Sequence, residues 1–143
     1  MITIDGSLGE GGGQILRTSV CLSLATGKPF RSVNIRAGRE KPGLRSQHLT
    51  AVTAAAEIGQ AEITGAEIGS QELTFSPGDV KPGEYSFSVG TAGSTGLVLQ
   101  TILPALMTSC APSHLTLRGG THNPWAPPFD FLQRSFTSLI NRM

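Results

Sequence analysis

Residues 6–14 read G-S-L-G-E-G-G-G-Q, with four glycines crowded around one acid, Glu10. Successive glycines let the backbone lie close to a ligand and turn several N–H groups toward it. A helical pattern starts directly after them, so the positive end of that helix faces the same loop, and the combination suits a phosphate. The stretch is not a Walker A loop, since no Gly-Lys-Ser/Thr follows, and its glycines lack the spacing of a dinucleotide-binding fingerprint. A plain strand-to-helix turn would need fewer glycines.

Arg17 falls one helical turn past Gly13, within reach of that loop, and Arg36, Arg39, Lys41 and Arg45 cluster in the next polar stretch. A guanidinium fork binds phosphate oxygens in pairs. Solvated surface cations are the common alternative. The net charge is only +1, so any anion site must be local rather than the product of a global basic field. Glu10 has two readings. Either it reaches phosphates through a hard divalent cation, Mg2+ or Mn2+, or it is an exposed acid favoured by the helix N-terminus. Gln47 and His48 open a second helical stretch. His48 either donates to a phosphate or moves a proton, or it caps the helix. His114 and His122 receive no role.

Hydrophobic periodicity and Gly/Pro punctuation supply the elements that must position these residues. They predict a strand at 2–5, a helix at 14–25 stopped by Gly27, a strand at 30–35, and a helix at 46–58 stopped by Gly59. Short strands follow at 62–64, 72–75 and 85–89. A second small-residue loop, G-T-A-G-S from Gly90, leads into a helix at 95–107. A strand at 114–117, a loop R-G-G-T-H-N-P-W-A-P-P from Arg118 and a helix at 129–141 complete the chain.

The pattern repeats. G-Q-I-L-R-T from Gly13 matches G-L-V-L-Q-T from Gly96, and I-R-A-G followed by Pro42 matches L-R-G-G followed by Pro124, at nearly the same offset. Each copy runs strand, small-residue loop, helix, strand, polar loop, helix. Such repetition implies one duplicated supersecondary unit that buries a sheet face under its helices. The first copy occupies about 1–83 and an incomplete second copy about 84–143, so 1–143 forms one α/β region that looks truncated. The second loop lacks the acid and the arginine, with Gln100 standing where the first copy has Arg17. An incomplete repeat should expose a sheet edge or apolar helix face, and self-association is expected.

Hydrophobic residues make up 38% of the chain and charged residues 15%, a composition that favours a packed domain over disorder. Cys21 and Cys110 sit in apolar segments with neither zinc-site nor disulfide spacing. The first residues lack the basic and apolar regions of a signal peptide, and no apolar run approaches a membrane span. These features predict a cytoplasmic protein with no membrane partner.

Taken together, the motifs resemble the RNA 3′-terminal phosphate cyclase family. They are D-G-x-x-G-E-G-G-G-Q-I-L-R-T from Asp5, R-A-G-R-x-K-P-G-L-x-x-Q-H-L from Arg36, G-S-x-x-L-x-F-x-P-G from Gly69, G-T-A-G-S-T-G-L-V-L-Q-T-I-L-P-A-L from Gly90, and G-G-T-x-N-P-x-A-P-P from Gly119. The resemblance implies an α/β fold of repeated β-α-β-α-β-β units like the carboxy-terminal domain of translation initiation factor 3. It implies ATP-dependent closure of an RNA 3′-phosphate into a 2′,3′-cyclic phosphodiester through a histidine–AMP intermediate. ATP and RNA 3′-phosphate ends become the expected ligands. Glu10 takes the metal-binding position, Arg17, Arg36, Arg39, Gln47 and His48 the phosphate-contacting positions, and Gln100 and Pro127 the ATP-contacting ones. The family pattern carries an arginine where this chain has Ser46, so Arg45 takes no role. The family's nucleophilic histidine lies far downstream, so the resemblance implies a missing carboxy-terminal part and no catalytic residue in this chain. A non-catalytic cyclase-like protein of ribosome assembly and an enolpyruvyl-transferase-like enzyme are the alternative functions.

Overall fold

The computed structural model describes residues 1–90 and 93–143; Thr91 and Ala92 of the second small-residue loop lie outside the described residues. Strand β1 (Ile2–Asp5) passes through the glycine loop into helix α1 (Gly13–Thr26) and returns in β2 (Phe30–Val33), parallel to β1 with Ile2 opposite Phe30. Helix α2 (Ser46–Ile58) follows, then β3 (Glu62–Thr64) and β4 (Leu73–Ser76). These strands form a sheet ordered β1-β2-β4-β3, in which β4 runs antiparallel to both neighbours. Strand β5 (Glu84–Ser88), helix α3 (Thr95–Met107) and strand β6 (His114–Arg118) make a second parallel strand–helix–strand arch, with Glu84 opposite His114. The chain is thus α/β.

Packing follows from the sequence pattern. Leu16, Val20 and Leu24 of α1, Val52, Ala55 and Ile58 of α2, and Val98, Ile102 and Ala105 of α3 are buried at helical spacing. The three helices pack against one another, so their apolar stripes share one core with Phe30, Leu73 and Phe75 of the sheet. Phe30 and Phe75 face each other in the β2–β4 register, their rings 6.0 Å apart. Close packing of this kind fixes where each helix begins, and therefore where the N-terminal residues point.

Two expectations are corrected. The second strand ends at Val33 rather than at 35, because Asn34 turns left-handed (φ 53) and the chain swings into the polar loop. Asn tolerates that conformation better than most residues. The terminal helix is not uniform: α4 (Phe129–Phe131) passes through a π-helical turn (Leu132–Phe136) into α5 (Thr137–Ile140). No helix among the described residues is long and apolar enough to cross a membrane.

Candidate functional site: a cationic cleft at three helix N-termini

A cleft of about 700 Å³ opens where the first turns of α1, α2 and α3 meet. Gly12, which caps α1, lines it with Gly13 and Gln14 of α1, Gln47 and His48 of α2, and Leu97 of α3. Each helix start carries partial positive charge, and their convergence makes a field suited to an anion. Glu10, Arg17, Arg36 and Arg39 line the same cleft, and Pro124 and Trp125 close it from loop 119–128.

Asp5, at the end of β1, anchors the glycine loop. Its Oδ1 accepts from the Ser7 N–H at 2.9 Å, from the Ser7 hydroxyl at 2.7 Å and from Asn34 Nδ2 at 3.3 Å. These donors hold its carboxyl below the usual carboxylate range, the Ser7 hydroxyl foremost. Beyond the loop the backbone runs tight against two cationic or polar side chains. A Cβ at Gly13 would overlap the His48 ring at Nε2 and come within 2.8 Å of Arg17 Nη1. Only glycine permits that approach.

Arg17 is 8% exposed. Its Nη2 donates to Gln14 Oε1 at 2.9 Å, and its Nε is buried without a partner. Among the described residues it has no carboxylate within ion-pair distance. Burial pulls its pKa below the usual guanidinium value. An uncompensated buried charge is expensive in a folded protein. Among the described residues none supplies a counter-ion that would offset it.

Arg36 plays a different part. Its Nη1 donates to the carbonyls of Lys41 (2.7 Å) and Gly43 (2.9 Å), so it clasps its own loop while lining the cleft. Its backbone is left-handed, φ 53, an uncommon conformation for a residue with a long side chain. Burial, then the nearby Arg39 and Arg45, lower its pKa. Arg39 bridges the two loops: Nη2 donates to the Glu10 carbonyl at 3.0 Å and to Glu10 Oε1 at 2.6 Å. Glu10 is 85% exposed, and such a pair contributes at most about 1 kcal/mol to stability.

His48 is 9% exposed, and the backbone N–H of Arg45 donates to its Nδ1 at 3.2 Å. Nδ1 must therefore be the acceptor, which places the proton of the neutral ring on Nε2, facing Gly13 and the cleft. Burial, then the charges of Arg36, Arg17 and Arg45, push its pKa down to about 4. At neutral pH it is an uncharged donor. This depression has a stability consequence. The neutral state is favoured by folding, so the contribution is complete above the unfolded value near 6.5 and is lost as pH falls through about 4. Between pH 7 and pH 4 the protein should lose roughly 2–3 kcal/mol from this group alone. Chemical denaturation at the two pH values checks this, and His48→Gln should remove that part of the dependence.

Gln47 joins two helix starts, its Oε1 accepting from the Ser94 N–H at 3.0 Å. That leaves its NH2, which only donates, for the cleft. Gln100 and Pro127 do not line the cleft; both are exposed. Arg45 also lies outside its lining. Gln14, Leu97, Pro124 and Trp125 were not singled out from sequence. For Trp125 a signal existed: it is the chain's one tryptophan, set in a proline-rich loop. As to a metal, no group of three His, Cys, Asp or Glu side chains occurs among the described residues. Glu10 alone, already held by Arg39, fits a divalent ion only if a bound phosphate supplies further oxygens, which is how Mg2+ is commonly held.

The fold is α/β, and its cleft brings guanidinium groups to three helix N-termini. The chain belongs to the RNA 3′-terminal phosphate cyclase family, whose profile matches residues 8–143. It is 63% identical over 143 residues to an RNA 3′-terminal phosphate cyclase of Koribacter versatilis, spanning 100% of this chain and 40% of that protein. It is 57% identical to one of Ectopseudomonas mendocina and 60% identical to one of Ralstonia nicotianae, in each case over 99% of this chain and 41% of the relative. The chain thus spans about 40% of the length of the curated relatives it matches.

Proposed function

We propose that this chain forms the phosphate-gripping part of an RNA 3′-terminal phosphate cyclase, an enzyme that uses ATP to close an RNA 3′-phosphate into a 2′,3′-cyclic phosphodiester. The observation that carries the reading is Arg17: a buried guanidinium without a carboxylate, in a cleft shared with Arg36, Arg39 and His48. In this role Arg17 and Arg39 hold phosphate oxygens, Gln47 and the neutral His48 donate to them, and Arg36 keeps the loop in shape. Cations and donors placed beforehand favour charge that builds on phosphorus during transfer. Glu10 would hold Mg2+ or Mn2+ jointly with phosphate oxygens, and the ion would neutralise charge there. Gln100 and Pro127 belong to the ATP side, beyond this cleft.

The adenylylated nucleophile of the reaction is assigned to a part of the enzyme outside this sequence, because the family's nucleophilic histidine lies downstream and none of His48, His114 and His122 falls in its motif. The two strand–helix–strand arches are read as copies of one unit, 1–83 and 84–143. The exposed Phe129, Phe131 and Leu139 are the surface against which further chain or a second copy would pack. A cytoplasmic location fits a protein that acts on RNA with ATP.

Titration calorimetry with two oligoribonucleotides of one sequence tests the reading, one ending in a 3′-phosphate and the other in a 3′-hydroxyl. The phosphorylated end should bind at least about tenfold more tightly, as one charge-assisted phosphate contact supplies. Equal affinities would remove the proposal. Labelled ATP with Mg2+ should leave this chain without covalent AMP.

A further inference from the structure

The cleft lining includes a large aromatic residue that phosphate binding does not explain. Trp125 is 99% exposed, yet it lines the same cleft as Arg17, Arg36 and Arg39. A tryptophan commonly covers about 150–250 Å² when buried, and here that apolar area stands in water. Its backbone is left-handed, φ 63, a conformation sterically disfavoured for a residue with a Cβ. Strained residues of this kind cluster where a binding surface must be presented; Trp125 and Arg36 are two such residues, and both face this cleft.

The loop that carries Trp125 is tied at both ends. Gly120 donates its N–H to the Gly93 carbonyl at 2.8 Å and accepts from Thr95 N–H at 2.9 Å. The Thr121 carbonyl accepts from Phe129 N–H at 3.1 Å, closing the loop below its tip. A large flat ring therefore stands on a tied loop at the edge of the guanidinium-lined cleft, almost fully exposed.

We infer that Trp125 is the stacking platform for the terminal nucleobase of an RNA whose 3′-phosphate lies among Arg17, Arg39 and His48. The inference rests on the phosphate-gripping reading above and deepens it. An aromatic side chain stacks on any base, because every base presents a π-face. Splayed single-stranded RNA ends are recognised in this way. The RNA end is favoured over the adenine of ATP because Gln100 and Pro127, the residues assigned to ATP, do not line this cleft. The platform would thus select a nucleotide end over a bare phosphate without reading its sequence.

Trp125 is the chain's single tryptophan, so its fluorescence reports on this position alone. A 3′-phosphorylated RNA dinucleotide should quench the emission and bind about tenfold more weakly to Trp125→Ala. Trp125→Phe should retain most of the affinity, and inorganic phosphate should bind wild type and Trp125→Ala equally without quenching. If the dinucleotide binds both proteins alike, leaves the emission unchanged and still requires Arg17, stacking is refuted and the phosphate reading stands. Quenching by ATP but not by the dinucleotide would overturn the assignment to the RNA end. Absence of binding by both phosphate and dinucleotide would overturn this inference and the reading beneath it.

Discussion

Arg17→Met should make the protein more stable and unable to hold phosphate. The two effects have one cause. Arg17 is 8% exposed, its Nε lacks a partner, and no carboxylate among the described residues neutralises it. Methionine fills a similar space without charge. The substitution loses the bond to Gln14, worth about 1 kcal/mol. It also removes an unpaired buried ion, and replacing buried charges by apolar groups of like size has gained about 1–4 kcal/mol elsewhere. The net should be a gain of up to about 3 kcal/mol in denaturant unfolding without ligand. Phosphate should shift the balance back toward wild type. At about a hundredfold excess over its Kd, a ligand adds about 2.7 kcal/mol to wild type. The variant should gain nothing measurable, since loss of a buried charge partner weakens binding by about 2–5 kcal/mol. A variant that is less stable than wild type and is still stabilised by phosphate would show that Arg17 serves the fold and not a ligand.

Much of the fold was legible because local signals agreed with tertiary demand. Helices at 46–58 and 95–107 and the strand at 62–64 have the bounds the sequence indicates. Gly59 stops the first of these helices, and Ser94 caps the second by accepting from Leu97 N–H. The end of β2 was not legible, since Asn34 turns left-handed where the chain enters the polar loop. Nothing in the local composition announced the π-helical turn at Leu132–Phe136 either.

The same division runs through the site. Glu10, Arg17, Arg36, Arg39, Gln47 and His48 come from two segments that adjoin in sequence, and the parallel β1–β2 pairing brings them into one cleft. Their types alone carried the signal. Leu97, Pro124 and Trp125 arrive from the second arch. Their presence depends on how α3 packs against α1 and α2, and on the bridge that joins Ser94 to Gly120. No spacing along the chain encodes that meeting. The partners of each charge were equally hidden: Arg39 reaches Glu10, Arg36 holds its own loop, and Arg17 is buried with no carboxylate beside it among the described residues.

Gly13→Ala sets helix propensity against the geometry of the site, and the site should win. Alanine at the start of α1 would by itself favour the helix by about 1 kcal/mol over glycine. Its methyl group, however, would occupy the place of His48 Nε2 and crowd Arg17 Nη1. His48 cannot simply swing aside, because the ring is buried and Nδ1 holds the N–H of Arg45. Moving it forfeits that bond, about 1 kcal/mol, and strains packed neighbours by about 1–3 kcal/mol. The variant should therefore be about 1–3 kcal/mol less stable. It should also bind phosphate at least about tenfold more weakly, since two of the donors are displaced. Gly38→Ala is the control. A Cβ there meets nothing within 4 Å, and its effect should stay within about 0.5 kcal/mol. If Gly13→Ala instead matches that control in both measurements, the backbone of α1 does not approach His48 and Arg17 as described. The donors would then not converge on one anion.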